Sequence, residues 1–206
     1  MSTNQLHGKS FENCIKGSFG SASDGGRKSN SHWDIEAIFD KKFKLPTSVK
    51  TSKNKIIGLS DARRFWTTDE DCRILIGFYK QIKNVKCFYK LCDVHLTKNE
   101  RKKLLGNISY NEVELFHNKI KSYKLGQHHA ARLFAKKYNE NNFKGKSIIK
   151  LNPKIDSKSQ RRLQCSISLD DLISFTKYNK IYNEGEFYNG VSFEFKIQSS
   201  KREFNK

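Results

Sequence analysis

The sequence lacks long apolar runs. Within its 206 residues, no stretch approaches the roughly 20 apolar residues that a membrane-spanning helix requires. The first seven residues contain no apolar run of the signal-peptide kind, and no basic amphipathic helix with a wide apolar face stands out. These absences argue against a membrane protein, and we expect no membrane partner.

Paired cysteines are also lacking. The five cysteines are an odd number and form no CxxC motif, so we expect no disulfide framework and a reducing, cytoplasmic location. Cys87, Cys92 and His95 are spaced loosely like metal ligands. No fourth ligand follows them at a usual spacing, and their segment is typical of a strand, so a structural zinc site is not expected.

Acidic residues are scarce relative to basic ones. Forty Lys and Arg side chains stand against 21 Asp and Glu, which gives a formal net charge of +19. Like charges at this density repel one another, and a polyanionic partner relieves the repulsion. Nucleic acid is the leading candidate, although a generally basic proteome would produce the same excess. The 36% of hydrophobic residues, with 15 Phe, 8 Tyr and 2 Trp, suffice for the core of one domain.

Two strand-like segments follow each other in the first quarter of the chain. Residues 33–39 and 43–50 are separated by the polar sequence Asp40-Lys41-Lys42. This arrangement predicts an antiparallel hairpin. The first segment carries two carboxylates and the second ends in a lysine. The predicted hairpin is therefore a candidate active site.

The register of this hairpin decides which side chains meet. With a three-residue connection, Asp34 faces Lys50 and Glu36 faces Ser48, all on one face of the sheet. A two-residue connection would split these pairs onto opposite faces, because a slip of one residue inverts every side chain. Pro46 favours a bulge, so both registers stay open, and the chemical interpretation requires the first.

Local patterns predict the helices. Phe11, Cys14 and Ile15 have helical spacing within residues 8–20, and we expect all three side chains to point inward. Ser109 and Glu112 form a capping-box pattern at the start of a later helix. Two further helices are predicted over residues 127–139, with Ala130, Leu133, Phe134 and Tyr138 buried, and over residues 170–177.

Local patterns also predict strands and connections. Residues 72–96 read as two strands, the first apolar on both faces like a central strand. Further strands are expected at 163–167 and 191–197. Residues 21–31, rich in Ser and Gly, predict a loop that either closes over a substrate or is an ordinary surface connection. Residues 97–107 read as a polar connection.

The carboxylates and the lysine suit phosphodiester hydrolysis. This reaction uses a divalent cation to activate water and to neutralise charge at phosphorus, and Mg²⁺ keeps several waters, so one or two carboxylates suffice. A nearby lysine orients the water or stabilises the transition state. Asp34, Glu36 and Lys50 supply these groups if the register is right. Alternatively, the two acids are solvated residues on an outer face and Lys50 is their counter-charge.

These residues resemble the PD-(D/E)xK nuclease superfamily, which includes many restriction endonucleases and Holliday-junction resolvases. The matching residues are a glutamate in the first helix, Glu12, an acidic residue on the first predicted strand, Asp34, and Lys50. The spacing of 14 residues between Asp34 and position 48 is typical of the family. One position departs from the pattern, because Ser48 stands where the family has a second carboxylate. The resemblance covers roughly residues 8–80.

The resemblance implies a role for each residue. Asp34 would hold the metal with Glu36 or Glu12, and Lys50 would position the attacking water. Some restriction enzymes with a Ser-x-Lys motif take the missing carboxylate from elsewhere in the fold. Glu36, opposite Ser48 in the favoured register, is the first candidate for that replacement. The reserve carboxylates are Asp61, Asp69, Glu70 and Asp71.

The resemblance also implies a fold and an activity. The expected fold is α/β, with a mixed, mainly antiparallel sheet flanked by helices as in restriction endonucleases. One nuclease domain would comprise a catalytic core at residues 8–96, a helical and DNA-contacting part at 97–198 and a frayed tail at 199–206. The expected activity is cleavage of double-stranded DNA at a short sequence by a homodimer of the type II restriction–modification kind, with Mg²⁺ or Mn²⁺ as cofactor. The alternatives are a structure-directed nuclease similar to a junction resolvase and a non-catalytic nucleic-acid-binding protein.

Basic and amide side chains predict where DNA is contacted. Arg can donate two hydrogen bonds to guanine and Gln can pair with adenine, while Lys and Ser hold phosphates. An outward strand face carrying Arg162, Gln164 and Ser166 would suit a groove, although phosphate contact or solubility alone also explains it. The predicted DNA contacts in this segment are Lys158, Gln160, Arg161, Arg162 and Gln164. Nearer the predicted hairpin, the residues expected to grip the DNA backbone are Lys53, Arg63 and Arg64.

Overall fold

A computed structural model describes residues 3–19, 33–83, 85–189, 191–192 and 195–198. The chain divides into two compact units, the first made of residues 1–55, 71–96 and 176–206 and the second of residues 56–70 and 97–175. The described ranges form six α-helices and two main sheets, in which antiparallel pairings predominate. The predicted class, mixed α/β with mainly antiparallel sheet flanked by helices, is confirmed. The division into one nuclease domain stays a prediction.

The first unit is built on a five-stranded sheet. Strand order is β1–β3–β4–β10, and β7 also pairs with β4. Among the strand pairings that the structure describes in this sheet, the β1–β3 pairing alone is parallel. The elements of this unit are α1 (Thr3–Ser18), a 3-10 turn (Ala37–Phe39), β1 (Thr47–Ser52), β3 (Cys72–Ile82), β4 (Val85–Leu96), β7 (Tyr178–Asn183), β8 (Phe187–Tyr188), β9 (Val191–Ser192) and β10 (Phe195–Gln198).

The two strands predicted within residues 72–96 are confirmed. The strands β3 and β4 pair along their whole length, with a register shift between Phe78 and Tyr79. Residues 72–78 are all buried, and β3 is a central strand with β1 and β4 as its two neighbours. A strand that is apolar on both faces is the expected sequence for this central position.

The predicted hairpin is wrong. Residues 33–39 contribute one isolated bridge, between Ile35 and Thr47, and then the 3-10 turn. Asp40 is the physical reason, because its Oδ1 accepts hydrogen bonds from the backbone N–H groups of Lys42 and Phe43, at 3.2 and 3.1 Å. This side-chain-closed turn replaces the extended pairing that a hairpin needs. The second predicted strand begins only at Thr47, and its sheet partner is β3.

Helix α1 packs on the sheet of the first unit. Phe11 and Ile15 are fully buried, whereas Cys14 is exposed, so its predicted inward orientation is wrong. The Phe11 ring stacks on Phe88 with the ring centroids 4.3 Å apart. It also lies directly over Gly77 of β3, where an added Cβ would stand 2.3 Å from Phe11 Cζ. Gly77 is therefore required by the close approach of the ring.

Gly77→Ala should destabilise the protein by about 1–3 kcal/mol, because the new methyl group overpacks the Phe11 ring. Phe11→Leu in the same chain should recover part of the loss by opening space for the methyl. Gly58→Ala is the matched control, since an added Cβ there meets nothing within 4 Å. Urea unfolding curves measure all three, and equal midpoints for the two alanine variants would refute this account of Gly77.

The second unit is built on a three-stranded antiparallel sheet of order β2–β6–β5. Leu163, Cys165 and Ile167 of β6 are buried as predicted, and helices α4 and α2 pack against this strand, while α5 packs on β5. The elements are β2 (Ile56–Asp61), α2 (Ala62–Thr67), α3 (Lys98–Leu105), α4 (Tyr110–Lys121), α5 (His128–Asn142), β5 (Lys150–Ile155), β6 (Arg161–Ser168) and α6 (Leu169–Phe175).

Capping boxes start two of these helices. The predicted box of Ser109 and Glu112 is confirmed at the start of α4. A second box, formed by Thr97 and Glu100, starts α3, so the polar connection predicted for residues 97–107 is wrong. In such a box the two side chains satisfy each other's backbone N–H groups, and this contact lets a short polar segment become helical.

The predicted orientation of α5 is partly wrong. Ala131 and Ala135 are its buried residues, whereas Ala130 is exposed and Leu133 is 57% exposed. Small alanine side chains face the core because β5 packs closely against this helix.

Some predictions lie outside the described residues. The loop at 21–31 and the tail at 199–206 are among them. The strand predicted over 191–197 is found as two segments, β9 and β10. Among the helices that are described, none is long and apolar enough to cross a membrane.

Candidate active site

Asp34, Ser48 and Lys50 meet at the start of β1. Asp34 Oδ2 accepts a hydrogen bond from Ser48 Oγ at 3.2 Å and from the backbone N–H of Val49 at 2.7 Å. Lys50 Nζ lies 3.6 Å from the same oxygen, and the side chains of Lys50 and Asp34 are 20% and 13% exposed. The pairing of an acid with a lysine that the sequence predicts is therefore present, although a hairpin does not produce it.

The hydrophobic core of the first unit holds this site together. Phe11, Ile35 and Val49 belong to one cluster of buried side chains. Each is the immediate chain neighbour of a predicted site residue, so packing of the cluster brings α1, the segment before the 3-10 turn and β1 to the same place. The polar side chains of the site alternate with the apolar ones that fix the backbone.

Glu12 lies on α1, which packs against β1. Its Oε1 is 2.7 Å from Lys16 Nζ, one helical turn later, and the two side chains are only 14% and 11% exposed. Low exposure strengthens such a pair, because little water screens it. Glu12 is thus a semi-buried carboxylate on the helix nearest β1, paired with its own lysine.

Glu36 does not take the predicted position. The bridge between Ile35 and Thr47 sets Asp34, and not Glu36, beside Ser48. Glu36 is exposed and precedes the 3-10 turn, where its backbone carbonyl accepts from Phe39 N at 3.1 Å. The prediction that Glu36 faces Ser48 is wrong, because the chain turns away from β1 after a single bridge.

Asp34 is the carboxylate of this site that could hold a divalent metal ion. In the part of the chain that the structure describes, no group of three or more His, Cys, Asp or Glu side chains is arranged to hold a metal. Mg²⁺ is often bound by one or two carboxylates with water completing the octahedron. Asp34 supplies one such carboxylate, and Glu12 lies on the helix that packs on β1.

The reserve carboxylates have structural partners of their own. Asp61 Oδ1 caps α2 by accepting from Arg64 N at 3.2 Å. Asp69 Oδ2 accepts from Lys98 Nζ at 2.5 Å, and this hydrogen bond lowers the pKa of Asp69. Both residues belong to the second unit, as does Glu70, whereas Asp71 belongs to the first.

One predicted DNA contact is buried. Arg161 is 9% exposed, and its Nη1 donates to the backbone carbonyls of Asp156 and Gln160 at 2.8 and 2.9 Å. The guanidinium therefore closes the turn before β6. Arg161 is withdrawn as a DNA contact, because a side chain used in this way cannot reach a groove.

The other predicted DNA contacts differ in how exposed their side chains are. Arg162 is exposed and Gln164 half-buried on the other face of β6, but Ser166 is buried, and its Oγ accepts from Asn152 Nδ2 at 2.7 Å. Arg63 is half-buried, 3.7 Å from Asp61. The predicted contacts that are exposed in turns or on helix surfaces are Lys53, Arg64 and Lys158, while Gln160 is half-buried.

The first unit contains a buried ion network that was not predicted from the sequence. Arg73 of β3 donates from Nε and Nη2 to the two carboxylate oxygens of Asp93 at 2.7 and 2.5 Å, and from Nη1 to Asp40 Oδ2 at 3.1 Å. All three side chains are at most 2% exposed. Burial lowers the pKa of Arg73 and the hydrogen bond to Asp93 raises it, with a net upward shift, so the guanidinium stays charged. The signal in the sequence was an arginine within the apolar segment 72–78.

Cys87, Cys92 and His95, the loosely spaced candidate metal ligands, all lie on β4. All five cysteines are free thiols. Burial raises the pKa of Cys92 to about 11, which makes it an inert core thiol. His95 stacks on Tyr178 with ring centroids 3.9 Å apart, and burial lowers the pKa of His95.

Comparison of the chain with protein-family models, with curated proteins and with solved structures finds no match. The functional interpretation therefore depends on the site itself.

Proposed function

We propose that the protein is a Mg²⁺-dependent endodeoxyribonuclease that cleaves double-stranded DNA, similar to a type II restriction enzyme. The observation that carries the proposal is the contact of one largely buried carboxylate, that of Asp34, with both Ser48 and Lys50. A bound Mg²⁺ would activate water and neutralise charge at phosphorus. The formal charge of +19 supports a polyanionic substrate.

Each residue of the site has a distinct role in this proposal. Asp34 would hold the metal, and Ser48 Oγ and the N–H of Val49 fix the orientation of its carboxylate. The Lys50 ammonium, 3.6 Å from Asp34 Oδ2, would position the attacking water and stabilise the negative charge that develops on the phosphate. Glu12 would be the second carboxylate. By analogy with enzymes that cut both strands, we propose a homodimer.

A second candidate is a non-catalytic nucleic-acid-binding protein. Two observations favour it: Ser48 stands in place of a carboxylate, and the described ranges contain no cluster of three metal-ligating side chains. In that case Asp34 would serve only to pin the segment before the 3-10 turn onto β1.

Incubation with Mg²⁺ and either plasmid or genomic DNA distinguishes these functions. If the protein cleaves at a short sequence, the digest should give discrete fragments. Lys50→Ala should slow cleavage by about 100-fold or more, since the transition-state charge loses its nearest cation. Lys41→Ala, at an exposed position in the turn, is the control and should cleave normally. Fragment gels and initial nicking rates are the measurements.

Other outcomes identify the alternatives. Smears, or cleavage restricted to branched junctions, would indicate a structure-directed nuclease. Salt-dependent binding with no cleavage at any divalent ion concentration would indicate the non-catalytic protein. A Lys50→Ala protein that nicks at the wild-type rate would overturn the mechanism.

A further inference from the structure

The sheet of the second unit presents one polar face. Its strands β5 and β6 pair so that Lys154 lies opposite Arg162, and Asn152 lies opposite Gln164, while Lys150 extends the same row. The opposite face of these strands packs on the helices, and its buried residues include Leu151, Leu163 and Cys165. We call Lys150, Asn152, Lys154, Arg162 and Gln164 the basic face.

The cations of the basic face have no acidic partners. Lys150, Lys154 and Arg162 are exposed, and within the part of the chain that is described none of them forms an ion pair. On the neighbouring strand, a Cβ added at Gly58 would meet nothing within 4 Å, and Asp61, which caps α2, is the register partner of Gln164. Three unpaired positive charges on an open sheet surface are complementary to a phosphate backbone.

The two amides lie in the row between the lysines. Asn152 Nδ2 donates to Lys150 O at 3.1 Å and to Ser166 Oγ at 2.7 Å, so its position is fixed. Gln164, opposite it, makes no side-chain hydrogen bond to another described residue and retains its donors and acceptor. Glutamine pairs in a bidentate manner with the adenine edge in the major groove.

The dimensions and the composition favour B-form duplex DNA. Lys150 and Lys154 are four residues apart on one strand, or about 13 Å at roughly 3.3 Å per residue, close to the major-groove width of about 12 Å. Their side chains can reach phosphates on both sides while the amides face base edges. No aromatic residue occupies the outward positions of β2, β5 and β6, so the stacking that supports single-strand binding is missing. The deep, narrow major groove of duplex RNA does not admit side chains.

We propose that the basic face binds the major groove of double-stranded DNA, with Lys150, Lys154 and Arg162 on phosphates and Gln164 on a base edge. The choice of DNA duplex rests on the proposed function, but binding requires neither cleavage nor metal. Failure of one proposal is therefore distinguishable from failure of the other.

Binding of short duplexes in EDTA tests this proposal. The variant Lys150→Gln/Lys154→Gln/Arg162→Gln should bind at least about tenfold more weakly, and its slope of log affinity against log salt should be shallower by about 2 to 3, because three phosphate contacts are lost. The control Lys103→Gln/Lys136→Gln/Lys137→Gln removes the same charge from exposed helix positions of the same unit and should bind within about threefold of wild type. Equal losses in both variants would overturn the proposal, since net charge alone would then explain binding.

Two further experiments determine which kind of nucleic acid binds and whether Gln164 contacts a base. Wild type should prefer duplex DNA to duplex RNA and to single strands of the same length, and equal affinity for the three would contradict major-groove binding. Selection of bound duplexes from a random pool should show an adenine preference that Gln164→Ala reduces by roughly tenfold. An unchanged preference would remove Gln164 from the proposal. Thermal unfolding of each variant confirms that it is folded, and Arg162→Gln alone replaces the triple variant if that variant is not.

Discussion

Asp34→Asn should abolish metal-dependent cleavage, with a loss on the order of 1,000-fold, and should leave the fold intact. Asparagine keeps an oxygen that accepts from Val49 N and Ser48 Oγ, the two hydrogen bonds that position the residue on β1. It removes the negative charge that holds a divalent cation and that faces Lys50 Nζ at 3.6 Å. Loss of the metal site removes both water activation and charge neutralisation. Plasmid nicking rates over a Mg²⁺ titration measure the effect.

Two controls make this result specific to Asp34. Glu140→Gln removes one negative charge from an exposed position of α5 and should cleave at the wild-type rate. Affinity for duplex DNA in EDTA should be the same or slightly higher for Asp34→Asn, because a carboxylate no longer repels the phosphates. Cleavage by Asp34→Asn within a fewfold of wild type would mean that Asp34 only pins the chain to β1.

The central pair of the candidate site was predictable from sequence, but its geometry was not. The predicted register set Asp34 opposite Lys50, and the two side chains lie 3.6 Å apart, whereas the contact of Asp34 with Ser48 was predicted for Glu36. The predicted hairpin failed because Asp40 closes a turn with its own side chain. One bridge, between Ile35 and Thr47, suffices to bring Asp34 to β1, and it leaves Glu36 outside. A single bridge has no periodic pattern in sequence.

Elements with strong local sequence patterns were predicted correctly, whereas pairings between distant segments were not predicted. Alternation and apolar content predicted β3 and β4, which pair through a short connection. The parallel pairing of β1 with β3 joins Val49 to Leu75, and nothing within either segment specifies that partner. The basic face shows the same limit, because Lys150 and Lys154 join Arg162 only through the β5–β6 register.

Arg73→Met should destabilise the protein by about 3–5 kcal/mol, the largest stability effect that we expect from one substitution. Methionine fills a similar volume but leaves Asp93, with 0% exposure, and Asp40, with 2%, as buried carboxylates without their cation. The surrounding rings, Phe43 at 4.9 Å and Phe19 at 5.4 Å from the guanidinium, cannot replace it. Urea or thermal unfolding measures the loss.

Arg63→Met provides the matched comparison. Its partner Asp61 is 3.7 Å away at a partly exposed position, so we expect a loss below about 1 kcal/mol. The double variant Arg73→Met/Asp93→Asn should lose less than the sum of the two single variants, since the second change removes the charge that the first leaves unpaired. Arg73 connects β3 to β4 through Asp93 and to the turn before β1 through Asp40. If Arg73→Met is as stable as Arg63→Met, the turn that delivers Asp34 to Ser48 is held by the apolar cluster alone.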